Sequence, residues 1–367
     1  MIDIIEAFQE IAEQRALAAG LVNPRNKQLG NTVKVKPIIA YDRSSTFRRI
    51  TTWIIGFLQT WWLVLTRYRK AHLFIVSNPP LAPLLPLFCR NSFSLLIYDV
   101  YPDALEEYKV LSSSHPFIRL WKSWNKRIFP RAHSIFTLNE GMKSLLSQYV
   151  SEDRIEVVPV WTDNSFLQPI PKEQNTFRKE QGLHDYFLIT YSGNLGKSHE
   201  LTVLVNLAEK LQADNVFVLI IGGGEQYKSL KTKIKASGLT NIRLLPWQPT
   251  EKLPQTLSAA DLGVVSLGKQ ASALSMPSKT FNLLSVGCPI LAIAEPDAAL
   301  SKFIDRHQVG KHFKAEALQG MVEFVRTLTQ QSEKHDQLCQ NALQASLGYG
   351  PENARTFVHA YKASENV

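Results

Sequence analysis

Residues 186–221 read YFLITYSGNLGKSHELTVLVNLAEKLQADNVFVLII. Tyr186 to Tyr191 and Val216 to Ile221 are short apolar runs, and Glu200 to Gln212 between them carries apolar residues at helical spacing. Strand, helix and strand in that order make a βαβ unit, and strands this apolar belong to a parallel sheet covered on both faces. The alternation continues through a helix over Glu225 to Ser237, a strand over Ile242 to Leu245, a helix over Leu253 to Ala259 and a strand over Leu262 to Ser266. A helix over Lys279 to Val286 and a strand over Pro289 to Ala294 complete it.

Upstream the same alternation is plainer in its strands than in its helices. The chain opens on an amphipathic helix (Ile4 to Ile11), then a loop around Gly20 to Asn31 and a β-rich run from Val33 to Ala40. Leu73 to Val76, stopped by Asn78-Pro79-Pro80, reads as a buried strand, as do Phe93 to Tyr98, Ser134 to Thr137 and Ile155 to Val158. A polar stretch, Asn164 to His184, divides the two halves. Two doubly wound α/β units in one chain suggest a cleft between them.

The length of 367 residues exceeds what one core holds, and 45% hydrophobic with 20% charged residues excludes disorder. We expect an N-terminal domain over residues 1–165, a second over 166–345, and a C-terminal helix within 346–367 packing back towards the first. Cys89, Cys288 and Cys339 lie far apart with no C-x-x-C, which excludes a disulfide framework and a cysteine zinc site. No secretory leader opens the chain, so a cytoplasmic protein is expected.

The net charge of +9 is uneven: residues 1–150 hold 19 Lys+Arg against 10 Asp+Glu, and residues 185–367 hold 18 against 16. The excess points to an anionic partner for the first half, a membrane surface or a phosphorylated substrate. Nucleic acid is not expected, because no recognition module accompanies the charge. The apolar stretch Ile50 to Thr66 is short for a membrane span and is flanked by Arg48, Arg49, Arg67, Arg69 and Lys70. It is either a buried domain helix or an interfacial one that places the protein peripherally on the inner face of the plasma membrane.

Two segments look built for an anion. Gly193, Asn194, Gly196, Lys197, Ser198 and His199 stand between a strand and a helix, where backbone amides attract phosphate. Ser275, Met276, Pro277 and Ser278 lead into a helix carrying Lys279 in its first turn, against the usual preference for acids there. Gly222 to Gly224 allow a close strand exit, and Trp247 either lies near a nucleobase or packs a loop. In the first half, Asp99 and Asp103 follow a strand; the alternative for Asp103 is capping a helix near Ala104.

The tracts Val158 to Asp163, Tyr191 to Gly196, Ile220 to Glu225, Ala259 to Val264 and Pro277 to Leu291 together resemble the donor half of glycosyltransferase family four. The likeness is nearest to the bacterial branch that assembles capsule, exopolysaccharide and lipopolysaccharide. Tyr98 to Asp103, preceded by Ser77 to Pro80, is similar to that branch's acceptor half. The resemblance implies the GT-B fold, an α/β architecture of two Rossmann-like domains. It also implies retaining, metal-independent transfer of a hexose or N-acetylhexosamine from a nucleotide-diphosphate sugar to a lipid-linked or saccharide acceptor, with no cofactor. Carried onto this chain, Asp99, Asp103 and Lys279 are the expected catalytic residues. Gly193, Asn194, Gly196, Lys197, His199, Trp247, Ser275, Met276, Pro277, Ser278 and Asn282 are expected to bind the donor.

The chain departs from the family in two ways. Asn194 and His199 stand where many members carry Arg and Lys, and Leu274 and Asn282 where they carry two glutamates. Charge for the diphosphate is therefore expected from Lys279, Lys197 or protonated His199. The family also opens with a strand and a glycine-rich loop, whereas this chain begins within what resembles the following helix. An alternative is thus a degenerate glycosyltransferase that binds a nucleotide sugar or a partner enzyme without turnover. An epimerase would need its own acid/base carboxylates, for which no motif is present.

Overall fold

The structure, a computed structural model, describes residues 1–22, 27, 29–42, 44–107, 111–196, 199–268 and 276–365. It divides into one unit of Met1–Pro159 with Glu352–Val367, and a second of Val160–Pro351. In chain order the first unit contains α1 (Ile2–Ala7), β1 (Arg15–Ala19), β2 (Val33–Pro37), α2 (Thr46–Arg67), β3 (Leu73–Val76) and β4 (Phe93–Ile97). It continues with α3 (Asp103–Glu107), α4 (Pro116–Ile128), β5 (Ile135–Thr137), α5 (Glu140–Leu146) and β6 (Ile155–Val157). The second unit runs α6 (Thr176–Gln181), β7 (Phe187–Asn194), α7 (Thr202–Lys210), β8 (Val216–Gly223), α8 (Tyr227–Ser237), β9 (Ile242–Leu245) and α9 (Leu253–Ser258). Then come β10 (Leu262–Ser266), α10 (Ser278–Ser285), β11 (Ile290–Ile293), α11 (Ala299–His307), β12 (Gly310–Phe313), α12 (Leu318–Gln330) and α13 (Ser332–Ser346). The last helix, α14 (Ala354–Glu365), returns to the first unit.

The second unit is one parallel sheet of six strands in the order β12-β11-β10-β7-β8-β9. Its central strands are apolar on both faces because helices cover both. Ile189, Tyr191, Val218 and Ile220 pack beneath α7 and α12, while Val265, Ile290 and Ala292 pack against α10 and α11. Asp261, ahead of β10, holds the end of the sheet: its carboxylate takes Lys172 at 3.1 Å, Arg178 at 3.1 Å and the amide of Leu188 at 2.7 Å.

The first unit holds a four-stranded parallel sheet, β3-β4-β5-β6, and a separate parallel pair, β1-β2. α14 closes its core, with the fully buried Phe357 against Phe74 (5.5 Å between ring centroids) and Phe136 (4.6 Å). Strand β1 was not foreseen. Arg15-Ala16-Leu17-Ala18-Ala19 has helix-forming composition, but pairing with β2 in the register Arg15 to Val33 overrides it. Its anchor is the buried guanidinium of Arg15, which donates to Ile5 O at 2.7 Å, to Glu6 Oε2 at 3.2 Å and to Thr32 Oγ1 at 2.6 Å.

The helix expected around Ile50 to Thr66 is α2, and it is packed on one side. Trp53 stacks on Tyr41 at 6.0 Å, Trp61 Nε1 donates to Phe88 O at 3.0 Å, and Gly56 and Val64 are buried. Its other side faces solvent. Among the described residues no helix is long and apolar enough to cross a membrane.

Candidate functional site

The chain leaves β7 towards β8 and β9 on one side, then crosses to β10, β11 and β12 on the other. The carboxyl ends of β7 and β10 therefore meet at the switch point of the sheet, where α/β proteins bind ligands. Two connections emerge there: the loop after β7, and the segment between β10 and α10.

Backbone geometry sets the first. Gly193 has φ +153°, and a Cβ on it would lie 3.0 Å from the Lys279 ammonium. Gly222, its partner in register on β8, could not carry a Cβ, which would sit 1.9 Å from Gly193 O. The loop is then pinned from two sides. Gln226 Nε2 donates to Gly196 O and to His199 O (2.8 Å), and the Glu200 amide donates to Ser266 Oγ at 3.1 Å.

His199 contacts the end of β10 through Nδ1, 2.7 Å from Ser266 O. A carbonyl only accepts, so Nδ1 carries the proton and Nε2 is the acceptor of a neutral ring. Burial, and then the charge of Lys279, lower the affinity of the imidazole for a second proton. Of the three expected sources of charge, a protonated His199 is thereby disfavoured, Lys279 is in place, and Lys197 lies outside the described residues.

Lys279, in the first turn of α10, reaches back to β7. Its ammonium donates to Tyr191 Oη at 2.8 Å and stands 4.1 Å from the Tyr191 ring centroid. Tyr191 is wholly buried, and its hydroxyl donates onward to Asn194 O at 2.7 Å, so Oη presents a lone pair to the lysine. Among the described residues no carboxylate pairs with this ammonium. Burial alone brings its pKa down to about 8. A half-buried cation held by a phenol and a π face is stabilised by any anion that arrives.

The neighbours of Lys279 complete the site. Pro277 leads into α10, with its carbonyl accepting from the Thr280 amide at 3.0 Å; Met276 is half-buried and Ser278 exposed. Asn282, one turn along, accepts at Oδ1 from Thr162 Oγ1 at 2.6 Å. Trp247 follows β9, is 58% exposed, and lies where a Cβ on Gly223 would come within 2.8 Å of its Nε1. Asn194 is exposed and Gly196 half-buried. Lys197 and Ser275 lie outside the described residues.

The two aspartates of the first unit part company. Asp99 follows β4, is exposed, and its amide is 3.3 Å from Ser77 Oγ. Asp103, the first residue of α3, is buried and its carboxylate is taken: Tyr149 Oη at 2.5 Å, Gln148 Nε2 at 3.2 Å and Lys122 Nζ at 3.1 Å. Burial and then Asp103 push the Tyr149 hydroxyl pKa up. Asp103 ties α3 to α4 and to the end of α5.

Sequence reasoning missed the hydroxyl of Tyr191, the amide of Gln226 and the end of β10 at Ser266 as parts of the site. Tyr191 lay within the quoted strand and read as core. The role of each depends on β7 lying beside β10 and β8, which no local pattern states.

The arrangement of strands and switch point is the GT-B type of α/β fold. HepE from Anabaena, solved with UDP and glucose, superposes with a TM-score of 0.72 over 99% of this chain and 94% of that one, at 13% identity. Residues 173–345, most of the second unit, match the family model described as "Glycosyl transferases group 1". Among curated proteins, a "Probable glycosyltransferase WbjE" of Pseudomonas aeruginosa is 24% identical over 239 residues, 64% of this chain and 60% of that protein. A "Putative colanic acid biosynthesis glycosyl transferase WcaI" of Escherichia coli K12 is 25% identical over 166 residues, 45% of this chain and 41% of that protein. The matches thus span about three fifths or less of those relatives' length.

Proposed function

We propose that the protein is a retaining glycosyltransferase that takes a hexose or N-acetylhexosamine from a nucleotide-diphosphate sugar and passes it to a lipid-linked or saccharide acceptor in surface polysaccharide biosynthesis. The observation that carries this reading is the half-buried ammonium of Lys279 beside the Gly193 backbone at the switch point, with no carboxylate paired to it among the described residues. A departing nucleoside diphosphate develops negative charge, and a desolvated, preorganised cation stabilises it more than the neutral ground state around the sugar. Lys279 and the amides of the surrounding loops supply that stabilisation in this reading, without a metal or other cofactor. Trp247 offers an exposed face for the nucleobase. Asp99 is the acceptor-side carboxylate, and Asp103 is assigned to packing.

Support from relatives is of the same kind: HepE is described with UDP-glucose, and WcaI carries a polysaccharide-assembly name. Transfer of labelled sugar from UDP-, GDP- or ADP-sugars into a bacterial lipid extract, run in EDTA, tests the activity. NMR of the anomeric proton in the product tests retention; an inverted linkage sinks that part. One observation favours a second reading, binding without turnover. Asn282 stands where the family carries a glutamate, and its Oδ1 is committed to Thr162. Nucleotide-sugar binding with no transfer to any lipid or saccharide fraction would select it.

A further inference from the structure

Seven Lys+Arg and no Asp or Glu occur between residues 43 and 98, a stretch that contains all of α2. Along that helix Phe47, Ile50, Ile54, Leu58 and Trp62 recur at steps of three and four, so they form one stripe. All five are exposed: 75, 46, 46, 50 and 66% respectively. Phe88, itself 53% exposed, extends the surface from the side, its ring 5.9 Å from Phe57 and 6.3 Å from Trp61. Single exposed apolar residues need no explanation, but a contiguous stripe of this size on a soluble surface marks an interaction site.

Charge names the partner. Arg48 and Arg49 stand in the first turn of α2, where the helix dipole disfavours cations, and Arg67, Arg69 and Lys70 stand exposed at its other end. Arg48 has Asp42 at 3.3 Å. The other four lie in a stretch with no acid of its own. A protein partner with a matching apolar groove explains the stripe but not a cationic rim at both ends; a bilayer with anionic headgroups explains both. An exposed tryptophan beside isoleucine and leucine is also the side-chain set that settles at the boundary of headgroups and acyl chains.

We propose that this face of α2, with Phe88, is the surface by which the protein docks on an anionic lipid bilayer, the helix lying in the plane of the membrane. Docking keeps an acceptor with a lipid anchor within reach, and in that respect it rests on the transfer reading; the surface itself does not. The experiment floats the full chain with vesicles of phosphatidylcholine alone and with vesicles containing phosphatidylglycerol. Binding is expected to the second kind, weakening as salt is raised because the attraction is screened. The combined change Ile54→Ser, Leu58→Ser and Trp62→Ser is expected to lower partitioning roughly tenfold or more. Arg67→Glu with Arg69→Glu and Lys70→Glu is expected to abolish the preference for anionic vesicles.

Both variants should keep the wild-type melting temperature and nucleotide-sugar affinity, since none of the six side chains is buried. A measurement on the intact fold stands beside them: tryptophan emission quenched by brominated lipid in the wild type, with the quenching reduced in Trp62→Phe. Lys279→Ala should bind vesicles as the wild type does, which separates failure of the donor site from failure of the docking surface. Three results overturn the proposal: no binding to anionic vesicles, binding that the triple serine variant retains, or a dimer that this variant dissolves, which would give the face to a second copy of the chain.

Discussion

Arg178, fully buried, and Lys279, half-buried, are both cations of the second unit, and their surroundings differ completely. The Arg178 guanidinium meets the Asp261 carboxylate at 3.1 Å, Ala259 O at 2.9 Å and Leu183 O at 3.3 Å, and it also donates to Tyr186 O. Each guanidinium nitrogen has an acceptor and the charge has a counter-ion. Lys279 has a phenol oxygen and the face of its ring. Enclosed charges are costly unless paired, so the first arrangement is architecture, while the second leaves a charge with no counter-ion among the described residues, which is what the proposed donor site requires. The first unit repeats the lesson with the opposite sign, since the buried Asp103 is as fully engaged as Arg178.

The largest expected effect falls on the paired cation. Arg178→Met leaves Asp261 facing Lys172 and the Leu188 amide without its buried partner, and should cost about 3 to 5 kcal/mol of stability. Lys279→Met should cost little or raise stability. Urea denaturation of both variants checks the contrast, and equal losses would erase it.

Next comes the ligand. Lys279→Ala should weaken nucleoside-diphosphate binding by about 1 to 3 kcal/mol, the range of a charge-assisted hydrogen bond. Calorimetry at neutral pH reads it; Arg178→Met, where it remains folded, should bind as the wild type does.

Proton linkage sharpens the same difference. Burial brings the folded Lys279 down to about 8 from an ordinary value of 10.5, so between those values the unfolded chain binds the extra proton. Stability of the free protein should therefore rise with pH across that window, and the rise should vanish in Lys279→Met. Nucleotide affinity should move the other way, falling as pH rises through about 8 and the ammonium loses its proton. Melting temperatures and binding titrations over the same pH series test both signs together.

The smallest effect belongs to the phenol. Tyr191→Phe keeps the ring under Lys279 but removes the hydrogen bonds to its ammonium and to Asn194 O. Affinity should drop by roughly 0.5 to 1.5 kcal/mol. The alkaline loss of binding should also shift to lower pH, because the charged lysine has lost an acceptor. A lowered affinity with an unmoved pH profile would make Tyr191 packing only.

Much of this was legible in the sequence where local pattern and fold agree. β3, β9 and β10 carry the bounds that their apolar runs suggested, and Lys279 was marked by standing at a helix start beside Pro277. β1 was illegible because its alanines favour a helix, and only the partner β2 and the buried Arg15 make it a strand. Asp103 was half legible: its place at the start of a helix was foreseen, its partners from α4 and Tyr149 were not. The lowered proton affinity of His199 and its Nδ1 proton needed burial and the carbonyl of Ser266, 67 residues away along the chain. Signals of spacing survive in one dimension, whereas the company a charge keeps is decided in three.

The most direct test of the central claim is a calorimetric titration of the wild type and Lys279→Ala with UDP-, GDP- and ADP-sugars in EDTA. The expected result is metal-independent binding of one nucleotide family by the wild type, weakened about fivefold or more by the substitution. Equal affinity in the two proteins, or binding that appears only with a divalent metal, would contradict the account.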